Sequence, residues 1–242
     1  MIVLFTDFGL SGPYVGQMKA VLLRQAPDVP VVDLFADAPR CNPRAASYLL
    51  AAYSREFPLD TVFLAVVDPG VGSEQRRAAV VRAQGRWYVG PDNGLFNMVV
   101  QRARSASWWD IDWLPSELSN SFHGRDLFAP IAATIATGGE PPGRTVSTQQ
   151  RIVPGWPEDL PEVVYVDHFG NAITGMRASR LGERNLVVVE GRALGRGRTF
   201  SSVAVGEPFW YENSNGLVEI AVNRGSAAEL LDLRIGTPVE IR

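Results

Sequence analysis

The apolar positions in the first half of the chain predict alternating strands and helices. Residues 2–5 and 61–67 are almost entirely apolar runs, which is typical of strands covered on both faces. Residues 14–25 carry apolar side chains at helical spacing, and residues 43–53 form a second helical segment rich in Ala and Leu. The alternation predicts an α/β domain with a mostly parallel central sheet and helices on both faces.

Further elements of this domain follow from shorter patterns. Two β-like runs around Gln84-Gly85 predict a hairpin, because such residue pairs favour tight turns. The other predicted elements are a strand over 29–35 and helices over 95–104 and 126–137.

The pattern changes after residue 138. Residues 139–162 contain five prolines and little periodicity, which predicts a linker. Short β-like runs separated by glycine-rich turns come next and indicate a small antiparallel sheet or barrel; they are residues 163–166, 186–189, 218–222 and 238–241. We therefore predict two domains, an α/β domain over residues 1–150 and a β domain over residues 151–242.

Composition and charge exclude several classes of protein. The 23 Lys and Arg residues nearly balance the 26 Asp and Glu residues, so the formal net charge of −3 gives no general attraction to nucleic acid or to an anionic membrane. No apolar run approaches the roughly 20 residues that span a bilayer, and the first apolar run meets Asp7 too soon to be a secretion signal. Cys41 has no partner for an intrachain disulfide. We expect a cytoplasmic protein that binds neither nucleic acid nor membrane.

Polar clusters follow the predicted strands or open the predicted helices. They span residues 6–9, 68–73, 90–94 and 121–126. Any one aspartate among them could be a turn or cap residue. Because ligands of open α/β sheets bind at the carboxyl ends of the strands, the coincidence of several carboxylates, glycines and His123 at such junctions predicts a functional site.

General motifs leave the chemistry of that site open. The glycine loop at 70–73 lacks the lysine and the spacing of a phosphate-binding loop. A Ser-His-Asp triad has no nucleophile-elbow motif to support it. Asp7, Asp68, Asp92 and His123 could converge as metal ligands, although the chain has no closely spaced zinc-type Cys or His pair.

Six segments in the same order resemble the S-adenosylmethionine hydroxide adenosyltransferase family, which is related to fluorinating and chlorinating enzymes. The segments are Thr6-Asp7-Phe8-Gly9 with residues 14–19, residues 67–73 with Arg76-Arg77, and residues 90–95, 122–126, 165–171 and 213–223. The resemblance implies an N-terminal α/β domain and a small C-terminal antiparallel β-barrel-like domain. It also implies a homotrimer that binds its substrate between the N-terminal domain of one subunit and the C-terminal domain of the next.

The activity implied by the resemblance is hydrolysis of S-adenosyl-L-methionine to adenosine and L-methionine, by attack of water or hydroxide at ribose C5′, with no metal and no cofactor. The family's catalytic Asp, Arg and His correspond to Asp68, Arg76 and His123. The segment before the arginine pair is one residue longer than the family pattern, so Arg77 is the alternative to Arg76. Either Asp68 or His123 could accept the proton of the attacking water.

The resemblance also implies the substrate contacts. Asp7 would bind the ribose hydroxyls, Asp167 the methionine ammonium, Phe169 the adenine face and Asn171 the adenosine. The positions that would line the methionine and adenine ends are Ser214, Glu219 and the backbone of Val222.

Residue identities disfavour a halogenating enzyme. Those relatives lack an aspartate at the position of Asp68 and carry a pair such as Tyr-Ser where this chain has His123-Gly124. They also carry an insertion in the N-terminal domain that this chain lacks.

Two alternatives stay open, a non-catalytic sensor of S-adenosylmethionine or adenosine and a metal-dependent hydrolase of a nucleoside or phosphoester. The preferred epimer at sulfur also stays open.

Overall fold

The fold is described by a computed structural model that covers residues 1–73 and 77–242. The chain divides into two compact units, residues 1–154 and residues 155–242. Arg76, one of the predicted catalytic residues, lies outside the described residues.

A seven-stranded sheet forms the centre of the first unit. Its strands are β1 (Ile2–Thr6), β2 (Val31–Phe35), β3 (Val62–Val66), β4 (Ala78–Ala83), β5 (Arg86–Pro91), β6 (Ala106–Ile111) and β7 (Gly143–Val146). The order is β2-β1-β3-β5-β4-β6-β7. The first four strands in this order pair in parallel, and the remaining pairings are antiparallel. The predicted α/β class is confirmed, with the parallel pairing confined to one half of the sheet.

Helices cover this sheet on both faces. They are α1 (Tyr14–Gln25), α2 (Pro43–Tyr53), α3 (Asn97–Gln101) and α4 (Ala129–Ala136). Alternate residues of β1, such as Ile2 and Leu4, belong to one core cluster with Met18 and Leu22 of α1 and with residues of α4. Phe5 of β1 points to the opposite face of the sheet, because alternate residues of a strand face opposite sides. Its ring meets Phe35 edge-on, and Phe35 in turn contacts Tyr53 of α2.

Three predictions for this unit need correction. Residues 143–146 are not linker, because β7 pairs with β6, a strand that the sequence patterns did not predict. Helix α3 spans five residues rather than 95–104. Residues 124–128 form a π-helical turn that leads into α4, so the α-helix starts at Ala129 rather than at Asp126.

The second unit consists of two antiparallel sheets and one short helix. Its elements are β8 (Leu160–Val166), β9 (Ala172–Arg177), β10 (Val187–Val189), β11 (Arg192–Leu194), β12 (Pro208–Glu212), β13 (Leu217–Val222), α5 (Ala227–Leu231) and β14 (Glu240–Ile241). One sheet has the order β12-β13-β9-β8, and the other β11-β10-β14. Trp210 is fully buried in the core of this unit. The predicted antiparallel β structure is confirmed, whereas its closure into a barrel stays a prediction.

Membrane insertion by a helix has no support in the described part of the chain. None of the helices found there is long and apolar enough to cross a bilayer.

Candidate active site

Three of the predicted site residues of the first unit line one cavity of about 540 Å³: Asp7, Asp68 and His123. Asp7 follows β1 directly, and Asp68 comes two residues after β3. Since these neighbouring strands are parallel, their carboxyl ends lie at the same edge of the sheet, and both carboxylates reach the same space.

A close backbone approach brings the loop of Asp68 against the loop that leads to His123. Gly72 has a φ of +82°, and a Cβ atom at this position would lie 2.3 Å from the carbonyl oxygen of Asn120. A side chain at this position would collide with the backbone of Asn120, which explains why the loop has a glycine here. Within the loop, Asp68 Oδ1 accepts a hydrogen bond from Gly70 N at 3.3 Å, as in an Asx turn.

The carboxylate of Asp7 is oriented by the loop that follows β2. Asp7 Oδ2 accepts a hydrogen bond from the backbone N–H of Cys41 at 2.8 Å. Cys41 has a φ of +53°, in the left-handed region that few non-glycine residues adopt. Arg40 and Cys41 both line the cavity, and neither was predicted, because no sequence pattern marks this turn as part of the site.

His123 immediately precedes the π-helical turn, which is held by a charged pair. Arg125 Nε donates to Asp126 Oδ1 at 2.6 Å, and Ser119 N donates to Asp126 Oδ2 at 3.0 Å. The hydrogen bond from Arg125 lowers the pKa of Asp126, with smaller contributions from Ser119 and from the nearby His123. Asp126 therefore ties residue 119 to the start of the helix and fixes the loop that carries His123.

An aromatic cluster forms another part of the cavity wall. Phe8, Tyr14 and Phe122 contact one another with ring centroids 5.4–5.8 Å apart. Gly124 packs beneath them, since a Cβ there would lie 3.3 Å from Phe8 Cζ and from Met18 Sδ. These rings had no predicted role, although all three lie in the motif segments. Flat apolar surface next to two carboxylates suits a ligand that combines an aromatic ring with polar groups.

Asp92 is not among the residues that line this cavity. It forms ion pairs with Arg77 (Nε–Oδ2 3.3 Å) and Arg151 (Nε–Oδ2 3.8 Å) instead. Asp92 therefore does not join the other three residues of the metal site that the sequence left possible. Among residues 1–73 and 77–242, no group of three or more His, Cys, Asp or Glu side chains is placed to hold a metal ion.

In the second unit, the predicted residues Asp167, Phe169 and Asn171 share one tight turn. Asp167 Oδ1 accepts from the backbone N–H groups of Phe169 and Asn171 at 2.9 and 2.8 Å. Asp167 Oδ2 accepts from Asn171 Nδ2 at 2.9 Å. The buried Asn171 Oδ1 has no hydrogen-bond partner among the described residues. Phe169 is 75% exposed, so the turn presents an aromatic side chain at the surface, whereas the acceptor of Asn171 lies beneath it.

The remaining predicted residues of this unit lie on or beside β13. Glu219 is buried and accepts hydrogen bonds from the Tyr211 hydroxyl and from Asn213 Nδ2, the latter at 3.0 Å. Burial raises the pKa of Glu219; the two hydrogen bonds oppose this shift, and the charge of Asp167 adds to it. Ser214 is exposed in the turn before β13, and the carbonyl of the buried Val222 accepts from Gly225 N at 3.2 Å.

Together these features define an α/β protein with a carboxylate- and histidine-lined cavity at the carboxyl edge of its parallel strands, joined to an antiparallel β unit. Residues 2–144 match the model of the SAM hydroxide adenosyltransferase N-terminal domain, and residues 161–240 match that of the C-terminal domain. The chain belongs to the SAM hydroxide adenosyltransferase family.

Relatives of known name are similar over nearly the whole chain. An (R)-S-adenosyl-L-methionine hydrolase of Thermus thermophilus is 42% identical, covering 99% of this chain and 98% of its own length. A fluorinase of Actinopolyspora mzabensis is 26% identical, covering 100% and 96%. The crystal structure of a Thermotoga maritima protein superposes with a TM-score of 0.90 at 32% identity, covering both chains completely.

Proposed function

We propose that this protein hydrolyses S-adenosyl-L-methionine to adenosine and L-methionine. The observation that carries the proposal is the cavity in which Asp7, Asp68 and His123 come together, in a chain 42% identical to an (R)-S-adenosyl-L-methionine hydrolase. The name of that relative favours the (R) epimer at sulfur as the substrate. The identity to the fluorinase is much lower, and Asp68 and His123 favour water over a halide as the nucleophile.

The substrate supplies its own leaving group, because its sulfur is a sulfonium. The water oxygen forms a bond to ribose C5′ as the C5′–S bond breaks, and the electron pair of that bond stays on the neutral thioether of methionine. The water proton passes to Asp68 or to His123, both of which line the cavity. A positioned base of this kind contributes about 10²–10⁴-fold to the rate, and holding water in line with C5′ adds to it.

Residues of both units supply the proposed contacts with the substrate. Asp7, oriented by Cys41 N, accepts hydrogen bonds from the ribose hydroxyls. The exposed ring of Phe169 stacks on adenine, and the unpartnered Asn171 Oδ1 accepts from the adenosine. The other proposed contacts are Asp167 with the methionine ammonium and Ser214, Glu219 and Val222 along the methionine and adenine ends.

Of the two neighbouring arginines, we assign Arg76 to the site. Arg77 is held by Asp92, both through its side chain and through a 2.9 Å hydrogen bond from Asp92 N to its carbonyl. Arg76 would hold the Asp68 carboxylate in its ionised form by a two-pronged contact.

We further propose a cytoplasmic homotrimer with each site built from the first unit of one subunit and the second unit of the next.

The first experiment is a chromatographic assay of the purified protein with the (R) and (S) epimers in buffer containing EDTA, with and without chloride. We expect adenosine and methionine in equal amounts, from the (R) epimer preferentially. Binding of intact substrate without turnover would identify a sensor. Activity that EDTA abolishes would identify a metal-dependent hydrolase, and neither binding nor turnover would contradict the proposal.

Variants then test the assigned residues. Asp68→Asn keeps the size of the side chain but removes the charge, and we expect it to lower kcat about 10²–10⁴-fold. Arg76→Lys should lower kcat far more than Arg77→Lys, since lysine cannot make a two-pronged contact with a carboxylate. Equal effects of the two lysine variants would contradict the assignment of Arg76.

A further inference from the structure

A second cavity in the first unit, of about 590 Å³, is lined mainly by arginines. Its lining residues are Arg55, Gln84, Arg86, Arg102, Arg104 and Ser105. None of these described lining residues carries a carboxylate. Four guanidinium groups around one space repel each other unless an acceptor or an anion offsets their charge. The cavity therefore requires an explanation by its internal contacts or by a ligand.

The cavity shares no residue with the candidate active site and lies at the opposite ends of the parallel strands. Arg86 is the first residue of β5, so it marks the amino ends of the parallel strands. Asp68, in contrast, follows the carboxyl end of β3. Arg55 comes just after α2, and Arg102 caps the end of α3. The two cavities are consequently independent sites.

Internal contacts account for only part of this cluster. Arg86 donates to the carbonyl oxygens of Phe57 and Arg55, each through a 2.9 Å bond, and these bonds hold the chain after α2. The Arg102 guanidinium stacks over Tyr48, 5.5 Å from the ring centroid. The Arg55 and Arg104 side chains form no hydrogen bond or ion pair with any residue in the described ranges. A basic residue near the C-terminal end of a helix is common, because it interacts favourably with the helix dipole. Two helix ends explain two arginines, but not four around one cavity.

The positive field of the cluster reaches into the core. Tyr88 is buried and its hydroxyl donates to Ser54 Oγ at 3.1 Å. Burial raises the pKa of Tyr88, while the charges of Arg86 and Arg55 act in the opposite direction. The charges of these two arginines therefore act on the same buried hydroxyl.

We propose that this arginine cavity binds a compact polyphosphate anion, with two or more linked phosphate groups. Guanidinium groups bind phosphate oxygens in pairs, and each terminal phosphate brings about −1.5 to −2 charges. Linked phosphates can thus offset several arginines at once, and Gln84 and Ser105 can donate further hydrogen bonds. An extended nucleic acid is disfavoured, because the exposed Glu56 and Asp60 lie nearby in the chain and the formal net charge is −3.

The test is calorimetric titration of the full-length protein with sodium tripolyphosphate at low ionic strength. The double variant Arg55→Ala/Arg104→Ala removes two guanidinium groups that form no hydrogen bond or ion pair in the described ranges, so the fold should be preserved. We expect its affinity to be at least about tenfold lower than that of the wild type, which corresponds to the loss of about one charge-assisted hydrogen bond. The matched control Arg184→Ala/Arg192→Ala removes two exposed arginines of the second unit and should bind as the wild type does.

Other measurements make the outcome decisive. Unchanged affinity of the first double variant, or full competition by sulfate at equal concentration, would overturn the proposal. Tighter binding of single-stranded RNA than of tripolyphosphate, increasing with RNA length, would assign the surface to nucleic acid instead. If the alanine variant does not fold, Arg55→Lys/Arg104→Lys replaces it and should still weaken binding. The S-adenosylmethionine assay of the same variants should be unchanged, which keeps this test separate from that of the proposed function.

Discussion

The turn that holds Asp167 and Asn171 leaves no room for a side chain at Gly170. Gly170 has a φ of +82°, and a Cβ atom there would lie 2.1 Å from Ser226 Oγ. Ser226 caps α5 by accepting from Glu229 N at 3.1 Å, so it cannot move freely. We expect Gly170→Ala to displace this turn, raise KM for the substrate and lower the free energy of unfolding, to be measured by steady-state kinetics and urea unfolding.

The chain offers a matched control for this change. Gly206 has the same φ of +82°, but a Cβ there would meet no atom within 4 Å. Gly206→Ala thus includes the backbone strain without the collision with Ser226. We expect Gly170→Ala to cost about 1–3 kcal/mol more than Gly206→Ala, as overpacking does. Equal costs would show that the left-handed backbone alone requires the glycine.

The pKa of Glu219 predicts a pH dependence of stability. Burial raises this pKa above its ordinary value of 4.5, so the folded chain binds a proton more tightly than the unfolded chain. The free energy that Glu219 contributes to folding is therefore fully present below pH 4.5 and is lost as the pH rises through the raised folded pKa. The variant Glu219→Gln, which has no such proton to lose, should gain stability relative to the wild type across this range.

Urea unfolding of both proteins at a series of pH values measures this difference. Glutamine can replace the carboxylate here, because the Tyr211 hydroxyl can accept from its amide while its oxygen accepts from Asn213. Tyr211→Phe is the companion variant, since it removes one of the hydrogen bonds that lower the pKa of Glu219. A stability difference between wild type and Glu219→Gln that is the same at every pH would contradict the prediction.

At the residue level, the sequence identified the charged groups of the cavity better than its walls. Asp7, Asp68 and His123 could be predicted because they follow buried strands or open a helix, and parallel strands bring such positions to one edge. Arg40 and Cys41 reach the cavity through a left-handed turn. That turn is set by the backbone contact to Asp7, which no periodicity encodes.

Among the elements, the segment after β7 is held by Arg151, which lies 3.8 Å from Asp92 and bonds more closely to Asp110. Arg151 donates through Nε to Asp110 Oδ1 of β6 at 2.8 Å, and both side chains are largely buried. We expect Arg151→Ala to lower the free energy of unfolding by about 2–4 kcal/mol at neutral pH, because it leaves a buried carboxylate without its guanidinium. Arg144→Ala, which removes an exposed arginine of β7, should cost much less.

The pH dependence of this difference provides a second check. The hydrogen bond from Arg151 lowers the pKa of Asp110 below its ordinary value of 3.8. The pair therefore stabilises the fold above pH 3.8, and this contribution is lost as the pH falls through the folded pKa. The gap between wild type and Arg151→Ala should narrow in that acidic range. A gap that stays constant there would point to lost packing rather than to the ion pair.

Elements with a continuous apolar run were predicted, and edge elements were not. β1 and β3 are buried along their whole length, so their sequences carry the signal of a central strand. β7 lies at the edge of the sheet with Arg144 and Thr145 exposed, and its pairing with β6 is a tertiary contact. A short edge strand with polar side chains looks like loop in the sequence, which explains why residues 139–162 read as a linker.

For the whole molecule, the proposed sharing of sites between subunits makes a quantitative prediction. Asp68→Asn disables the first unit of a subunit, and Asn171→Ala disables its second unit. When the two inactive proteins are unfolded together in equal amounts and refolded, random trimers should regain about a quarter of the wild-type activity. This follows because one in four interfaces joins an intact first unit to an intact second unit, as heterologous contacts in a ring allow.

A mixture of Asp68→Asn with His123→Ala serves as the control, since both residues line the same cavity of the first unit and no interface can restore it. Recovery in the first mixture and none in the control would support a site shared between subunits. No recovery in either mixture, with trimers confirmed by light scattering, would place each complete site within one subunit. A monomer in solution would overturn the proposed assembly itself, while leaving the hydrolysis of S-adenosylmethionine to be judged by the assay of the wild-type protein.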